Sequence, residues 1–406
     1  MSNSEWTNWA GTQSCRPAQY VRAGSVDQIC ETVAEAADRG LTVRPVGSGH
    51  SFTPVVSCDG GVILDIGDLS GIQDVDVERN RARIWAGSKL STLGEPLWNA
   101  GLSFKNQGDI DSQTLAGALN TATHGSGLQY TSFSGVLTRA EMVTATGDVV
   151  VVTESDSDLL AAVQTGVGSL GVLVNAEIQL MSAYQLVEEI EYWPLAKVLE
   201  RWEHETRNSR HFQFWWGPYP GSLELYGMPP APTDVEDPCY VRRYTQIPAE
   251  TIGVTSPTGR VDRAYRIYAD DYPPGWDEFE YFVPFDRSIE ALEVIRPVLD
   301  QFPAQRYPVE VRAIGAETAL LSPMHGRDSV SISVSGAVGT DYRGFLEAMD
   351  AALRPFGARP HWGKTHFCDA SRLREVYPRY DDFVAIRRKL DPGGVFLNDH
   401  LTGMLA

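Results

Sequence analysis

The sequence is poor in several things. Only 5 cysteines occur in 406 residues, an odd number that is never spaced as C-x-x-C. That scatter excludes a disulfide frame and a structural zinc site, and it points to a reducing cytosol. No apolar run reaches the roughly 18 residues of a membrane helix, so no span is expected. Met1 to Gly11 lacks a basic stretch followed by an apolar one, so no signal peptide is expected. Cations are scarce: 34 Lys and Arg stand against 53 Asp and Glu, a net charge of −19. Nucleic acid and anionic membrane surfaces both reward clustered cations, so neither is an expected partner. Internal repeats and low-complexity tracts are also missing.

What is present suits a folded protein. Hydrophobic residues make up 43% of the chain, enough to bury a real core and exclude global disorder. Helical spacing of Ile29, Cys30, Val33 and Ala37 predicts a helix over Asp27–Asp38. Strands are predicted at Leu41–Val46, Val62–Ile66 and Ala82–Ala86, a short helix at Leu90–Asn99, and a hairpin of Ala140–Thr146 with Val149–Val152 around Gly147-Asp148. The stretch 183–300 holds aromatic clusters and an irregular Pro-rich segment, Met228–Pro238. A helix from Ser288 should end or kink at Pro297. Arg306–Ile314 and Ser329–Ser335 alternate like strands, and Asp341–Leu353 and Phe383–Leu390 like helices. The class is α+β.

The sharpest motif is Arg44-Pro45-Val46-Gly47-Ser48-Gly49-His50-Ser51. A strand feeds a glycine-rich turn, whose N–H groups can converge on an anion such as a pyrophosphate. The dinucleotide fingerprint G-x-G-x-x-G fails here, because Phe52 stands at its third glycine and no helix follows. Alone, the motif is an ordinary strand-to-loop turn. A second segment, Ser112 to Gly127, is small, hydroxylated and rich in glycine, without Asp, Glu, Lys or Arg from Ser112 onward. A third, Thr165 to Val174, again pairs glycines with a strand. Three such segments together suit a backbone cradle for a large polar cofactor.

In this combination the sequence resembles the vanillyl-alcohol-oxidase-type FAD flavoproteins, in particular the aldonolactone oxidase and alditol oxidase branch. The strand and R-P-x-G-x-G-H-S loop matches Arg44–Ser51, the A-G-x-x-x-T-x-T-H-G-S-G segment Ala116–Gly127, and the G-x-G-x-L-G-[VI] segment Gly166–Val172. Further on, Val309-Glu310-Val311-Arg312 resembles an E-x-R strand, His361-Trp362-Gly363-Lys364 an H-W-G-K motif, and Leu390 to Leu401 a terminal D-P-x-G-x-F-x-N segment.

The resemblance implies a two-part FAD-binding domain of the PCMH type with an α+β substrate or cap domain. The expected boundaries are 1–180 for FAD binding, 181–355 for the cap and 356–406 for a segment returning to the flavin. It implies FAD, attached covalently through His50. Its binding residues would be Arg44, Pro45, Val46, Gly47, Ser48, Gly49, His50, Ser51, Ser112, Thr114, Ala116, Gly117, Thr121, Thr123, His124, Gly125, Ser126, Gly168, Gly171, Val172, Val174 and Asn398. For His124 a structural role is an equal alternative.

Lys364 would face negative charge gathering at the flavin N1–C2=O edge. Glu310 and Arg312 are two apart on a strand and share a face, where a carboxylate and a guanidinium can together read hydroxyl groups. His361 would stand behind them or move a proton. Thr114, Ser333 and Ser335 would join Glu310, Arg312 and Lys364 at the substrate. Alditol oxidases carry Ser at the position of Thr114, and His and Thr where this chain has serines. His361 and His366 are a weak pair for a metal, and none is expected. The expected reaction is oxidation of a sugar-derived alcohol, an aldono-1,4-lactone first and a polyol second, with dioxygen yielding hydrogen peroxide. A dehydrogenase with another acceptor and an inactive flavin- or carbohydrate-binding protein are the rivals. A neutral substrate suits the acidic chain better than a sugar acid or phosphate.

Overall fold

In a computed structural model of the protein, which describes residues 5–270 and 275–406, Ser25 opens the first helix. Its hydroxyl accepts from Gln28 N–H at 3.2 Å, and Ile29, Val33 and Ala36 turn inward along Val26–Asp38. Met1–Ser4 of the polar N-terminus and Asp271–Pro274 of the middle region lie outside the described residues.

The helix leads into a small parallel sheet in which Val62–Asp65 lies between Gln19–Arg22 and Val43–Val46. The Gly47–Ser51 loop leaves the carboxyl end of an outer strand, where open sheets present their crevices to ligands. Beside it stands a five-stranded antiparallel sheet, ordered Val149–Thr153, Leu137–Val143, Val172–Gln179, Arg81–Trp85, Ile72–Asp76. The loop before Val172 carries backbone strain. Val167 is held at φ 51°, a conformation costly for a β-branched side chain. Its N–H donates to Asn120 O and its carbonyl accepts from Arg44, so tertiary bonds fix that geometry.

The second half builds an eight-stranded antiparallel sheet, ordered Val261–Arg263, Tyr184–Pro194, Pro238–Pro248, His211–Trp216, Val309–Ile314, Ser329–Ala337, Trp276–Pro284, Arg359–Pro360. In its centre Glu310 pairs with Ser333, and Ser333 with Glu280, placing the three in one row. The helix from Ser288 runs through Pro297 to Gln301. Ala291, Leu292, Ile295, Val298 and Leu299 keep one face buried on both sides of the proline, and that packing outweighs the missing N–H bond.

The last part of the chain returns to the first. Val43 N–H donates to Val395 O at 2.7 Å, and Phe52 N–H to Gly363 O at 2.7 Å. Asn398 Nδ2 reaches Pro54 O and Ser57 O at 2.8 Å each. No helix among the described residues is long and apolar enough to cross a membrane, and none of the five cysteines is in a disulfide.

Candidate active site

Two adjoining cavities lie between the loops of the small sheet and the face of the large one. The larger cleft encloses about 1170 Å³ and the smaller about 630 Å³, both including their open mouths. They share Ile110, Gln113, Trp276, Glu278, His361 and Lys364 as a common wall.

The cleft is lined by the whole Arg44–Ser51 loop, by Thr114, Ala116, Gly117 and Thr121, and by Gly168 and Gly171. Gly47 is required for packing: a Cβ there would fall 2.3 Å from Thr114 Oγ1. That oxygen accepts from Gly117 N–H at 3.2 Å and so starts the helix Leu115–Asn120. His50 bonds Ser112 Oγ through Nε2 at 2.8 Å, and its Nδ1 is buried without a hydrogen-bond partner. Burial, with Lys364 and Lys89 adding repulsion, lowers the imidazole to about 4, so it is neutral. Trp9, from the N-terminal hairpin, packs on this ring with centroids 5.0 Å apart.

Arg44 also borders the cleft, but its guanidinium faces the chain. It donates to Val55 O at 2.7 Å, Gly168 O at 2.9 Å, Val167 O at 3.1 Å and, closer still, Phe396 O. Four carbonyls from three separate segments are held by one buried cation. A cleft walled by close-packed backbone, glycine-rich loops and an orphaned imidazole nitrogen fits a dinucleotide flavin.

Several expected cofactor contacts stand elsewhere. Val172 and Val174 point into the core, and strand alternation gives Leu173 to the cleft. Gly125 and Ser126 line neither cavity. A Cβ on Gly125 would meet Gln107 O at 2.3 Å, and Ser126 O accepts from His211 Nδ1 at 2.6 Å. Asn398 braces the loop after Phe52 through its two carbonyl contacts and stays off the cleft wall. Thr123 and His124 turn to the smaller pocket.

That pocket is rich in acid. Arg312 stands 3.1 Å from Glu280, 3.3 Å from Glu310 and 3.6 Å from Asp109. Lys364 pairs closely with Glu278. His124 Nε2 lies 3.1 Å from Glu280 Oε1. Burial pushes the Glu310 carboxyl up to about 8, against the pull of Arg312 and with help from Asp109, Glu280 and Glu278. Burial alone would weaken the Arg312 cation, but Glu310, Glu280 and Asp109 raise its pKa. His361 is also neutral: burial lowers it to about 3, and Gly363 N–H donates to its Nδ1 at 3.0 Å.

Ser333 and Ser335 share this sheet face but are too short to reach the cavity. Ser333 Oγ donates to Glu278 at 2.8 Å, and Ser335 bonds the Tyr226 hydroxyl at 2.6 Å. Thr114 borders only the cleft, whereas Gln113 borders both cavities. Glu278, Glu280, Asp109, Tyr226 and Trp276 escaped sequence reasoning. The signal for the two glutamates was the alternation Trp276-Asp277-Glu278-Phe279-Glu280-Tyr281, which places both on one strand face.

One atom each of His124, Glu280 and His361 lies within 4.8 Å of the others, a spacing a metal could use. The hydrogen-bond pattern opposes that use. His361 Nδ1 accepts from Gly363, so its other nitrogen carries the hydrogen, and Arg312 already occupies Glu280.

The family profile described as "FAD binding domain" matches residues 17–153, and that of "D-arabinono-1,4-lactone oxidase" matches residues 238–404. The chain is 34% identical to an L-gulono-1,4-lactone dehydrogenase of Mycobacterium tuberculosis, over 98% of this chain and 99% of the relative. It is 27% identical to an alditol oxidase of a Streptomyces species, over 98% of each. Cholesterol oxidase from B. sterolicum superposes with a TM-score of 0.81 at 14% identity, covering 99% of this chain and 96% of that one, which speaks for the fold alone. The two profiles and the full-length relatives define an FAD-dependent oxidoreductase. Within that class, the chain belongs to the vanillyl-alcohol-oxidase-type flavoproteins, in the aldonolactone and alditol oxidase branch.

Proposed function

We propose that this enzyme oxidises the carbinol of a sugar-derived lactone, an aldono-1,4-lactone, in the smaller pocket. The observation that carries the proposal is the position of Arg312, Glu310 and Lys364 in one cavity that opens on the flavin cleft. Bound FAD supplies the two-electron acceptor for the carbinol carbon. Arg312 donates to the substrate's oxygens and orients the carbinol. Glu310, with a carboxyl oxygen that has no hydrogen-bond partner, accepts the hydroxyl proton once it is ionised. Lys364, at the shared wall, offsets negative charge developing on the cofactor side. Trp215, Tyr226 and Trp276 line the pocket and supply apolar surface against a sugar ring.

His50 is the proposed covalent attachment point, through the orphaned Nδ1. The family profile and the mycobacterial relative both name lactones, which ranks a lactone above a polyol. Dioxygen is the proposed final acceptor, with a cytoplasmic enzyme releasing hydrogen peroxide. The name of the mycobacterial relative supports a second reading, a dehydrogenase that uses another acceptor. A screen of aldonolactones, polyols and hydroxy acids tests both. Peroxide in air supports the oxidase, and dye reduction without peroxide supports the dehydrogenase. Turnover of polyols alone would reject the lactone.

A further inference from the structure

Both ring nitrogens of His124 face hydrogen-bond acceptors. Its Nδ1 lies 2.9 Å from Gly125 O. A carbonyl only accepts, so Nδ1 carries a hydrogen. Its Nε2 lies 3.1 Å from Glu280 Oε1, with both side chains 1% exposed. The same oxygen accepts from Arg312 Nη2 at 3.1 Å. A neutral ring would set a bare nitrogen lone pair against a carboxylate oxygen in a dry interior, which repels. One more proton therefore lies between them. Arg312 Nη2 already donates to that same Glu280 oxygen, which keeps it an acceptor and places the proton on the imidazole side.

The surrounding charges agree. Asp109, Glu280, Arg312 and His361 face the ring across the pocket, and Glu317 stands behind it, bound to Ser132 N–H and Oγ. His361 is neutral. Acidic groups outnumber basic ones around the ring: Asp109, Glu278, Glu280, Glu310 and Glu317 beside Arg312 and Lys364.

We infer that His124 is a positioning residue: doubly protonated, it binds Glu280 and so fixes the guanidinium of Arg312 toward the reacting group. The inference rests on Arg312 as a substrate contact, as proposed above. Without the imidazolium, Glu280 has only Arg312 to pair with and draws it away from Glu310.

The test uses the FAD-loaded enzyme, with flavin absorbance as the check on folding. His124→Gln lowers kcat/KM by about 100-fold, the scale of breaking a buried charge pair. Glu280→Gln does the same, and the double variant loses no more than either single variant, because both residues act through one route to Arg312. Nitrogen NMR of histidine-labelled enzyme shows His124 protonated on both nitrogens near neutral pH, and as a neutral ring in Glu280→Gln. Additive losses in the cycle, or a neutral His124 signal in the parent enzyme, overturn the inference. If His124→Gln does not fold, the NMR measurement decides alone. That signal needs no substrate, so failure of the lactone assignment leaves it standing, and its own failure leaves the lactone assignment untouched.

Discussion

Glu310 Oε1 lies 3.3 Å from Arg312 Nε, two residues along one strand, with no hydrogen bond between the two atoms. Close charges that do not align leave burial as the larger influence, and the carboxyl rises from 4.5 to about 8. The folded state then holds a proton that the unfolded chain releases. Its stabilising contribution is complete below about pH 4.5 and is lost as pH climbs through 8. The melting temperature of the parent enzyme should therefore fall from pH ~5 to pH ~9 more steeply than that of Glu310→Gln. Parallel curves would remove Glu310 as the carrier of that proton. Turnover of the parent should rise through the same pH range if ionised Glu310 takes the carbinol proton.

His50→Ala should leave the flavin dissociable. Acid precipitation of the parent gives a yellow pellet, and precipitation of the variant a colourless pellet with yellow supernatant. A colourless pellet from the parent removes the covalent bond from the description.

Arg44→Met should destabilise the flavin side of the molecule. It leaves four buried carbonyls without their donor, each worth about 1–3 kcal/mol. A fall in melting temperature of roughly 5–10 °C is expected, with weakened FAD retention. An unchanged melting curve would show that the four contacts contribute nothing net.

Lys364→Met should retain flavin and lose turnover by about 100- to 1000-fold, the usual cost of removing one preorganised electrostatic group. Glu278 loses its partner in this variant, so Glu278→Gln/Lys364→Met is the control for a charge left unpaired. A double variant restored to parental rates would make Lys364 a counter-ion for Glu278 alone.

The parts of the site that sit on loops were legible because loops carry unusual composition. Arg44–Ser51 and Ser112–Gly127 could be found from glycine and hydroxyl content, since a backbone cradle allows few other residues. Glu310 and Arg312 could be placed together because strand alternation is strict. Val172 and Val174 were misplaced by the same rule, since the motif begins one residue out of phase with the cleft. Glu278 and Glu280 stayed hidden because a buried strand interleaving acids with aromatics does not look like a buried strand. Their burial is affordable only beside Arg312, Lys364 and His124, partners that lie 32, 86 and 156 positions away in the chain. The length of the helix through Pro297 was decided by packing on its apolar face, which local propensity cannot register.

The bonds from Asn398 to Pro54 and Ser57 span more than 340 residues. During synthesis, the loop after His50 waits for nearly the whole chain before it meets the residues that brace it. A chain truncated before Asn398 therefore keeps the loop after His50 but not the two bonds that brace it.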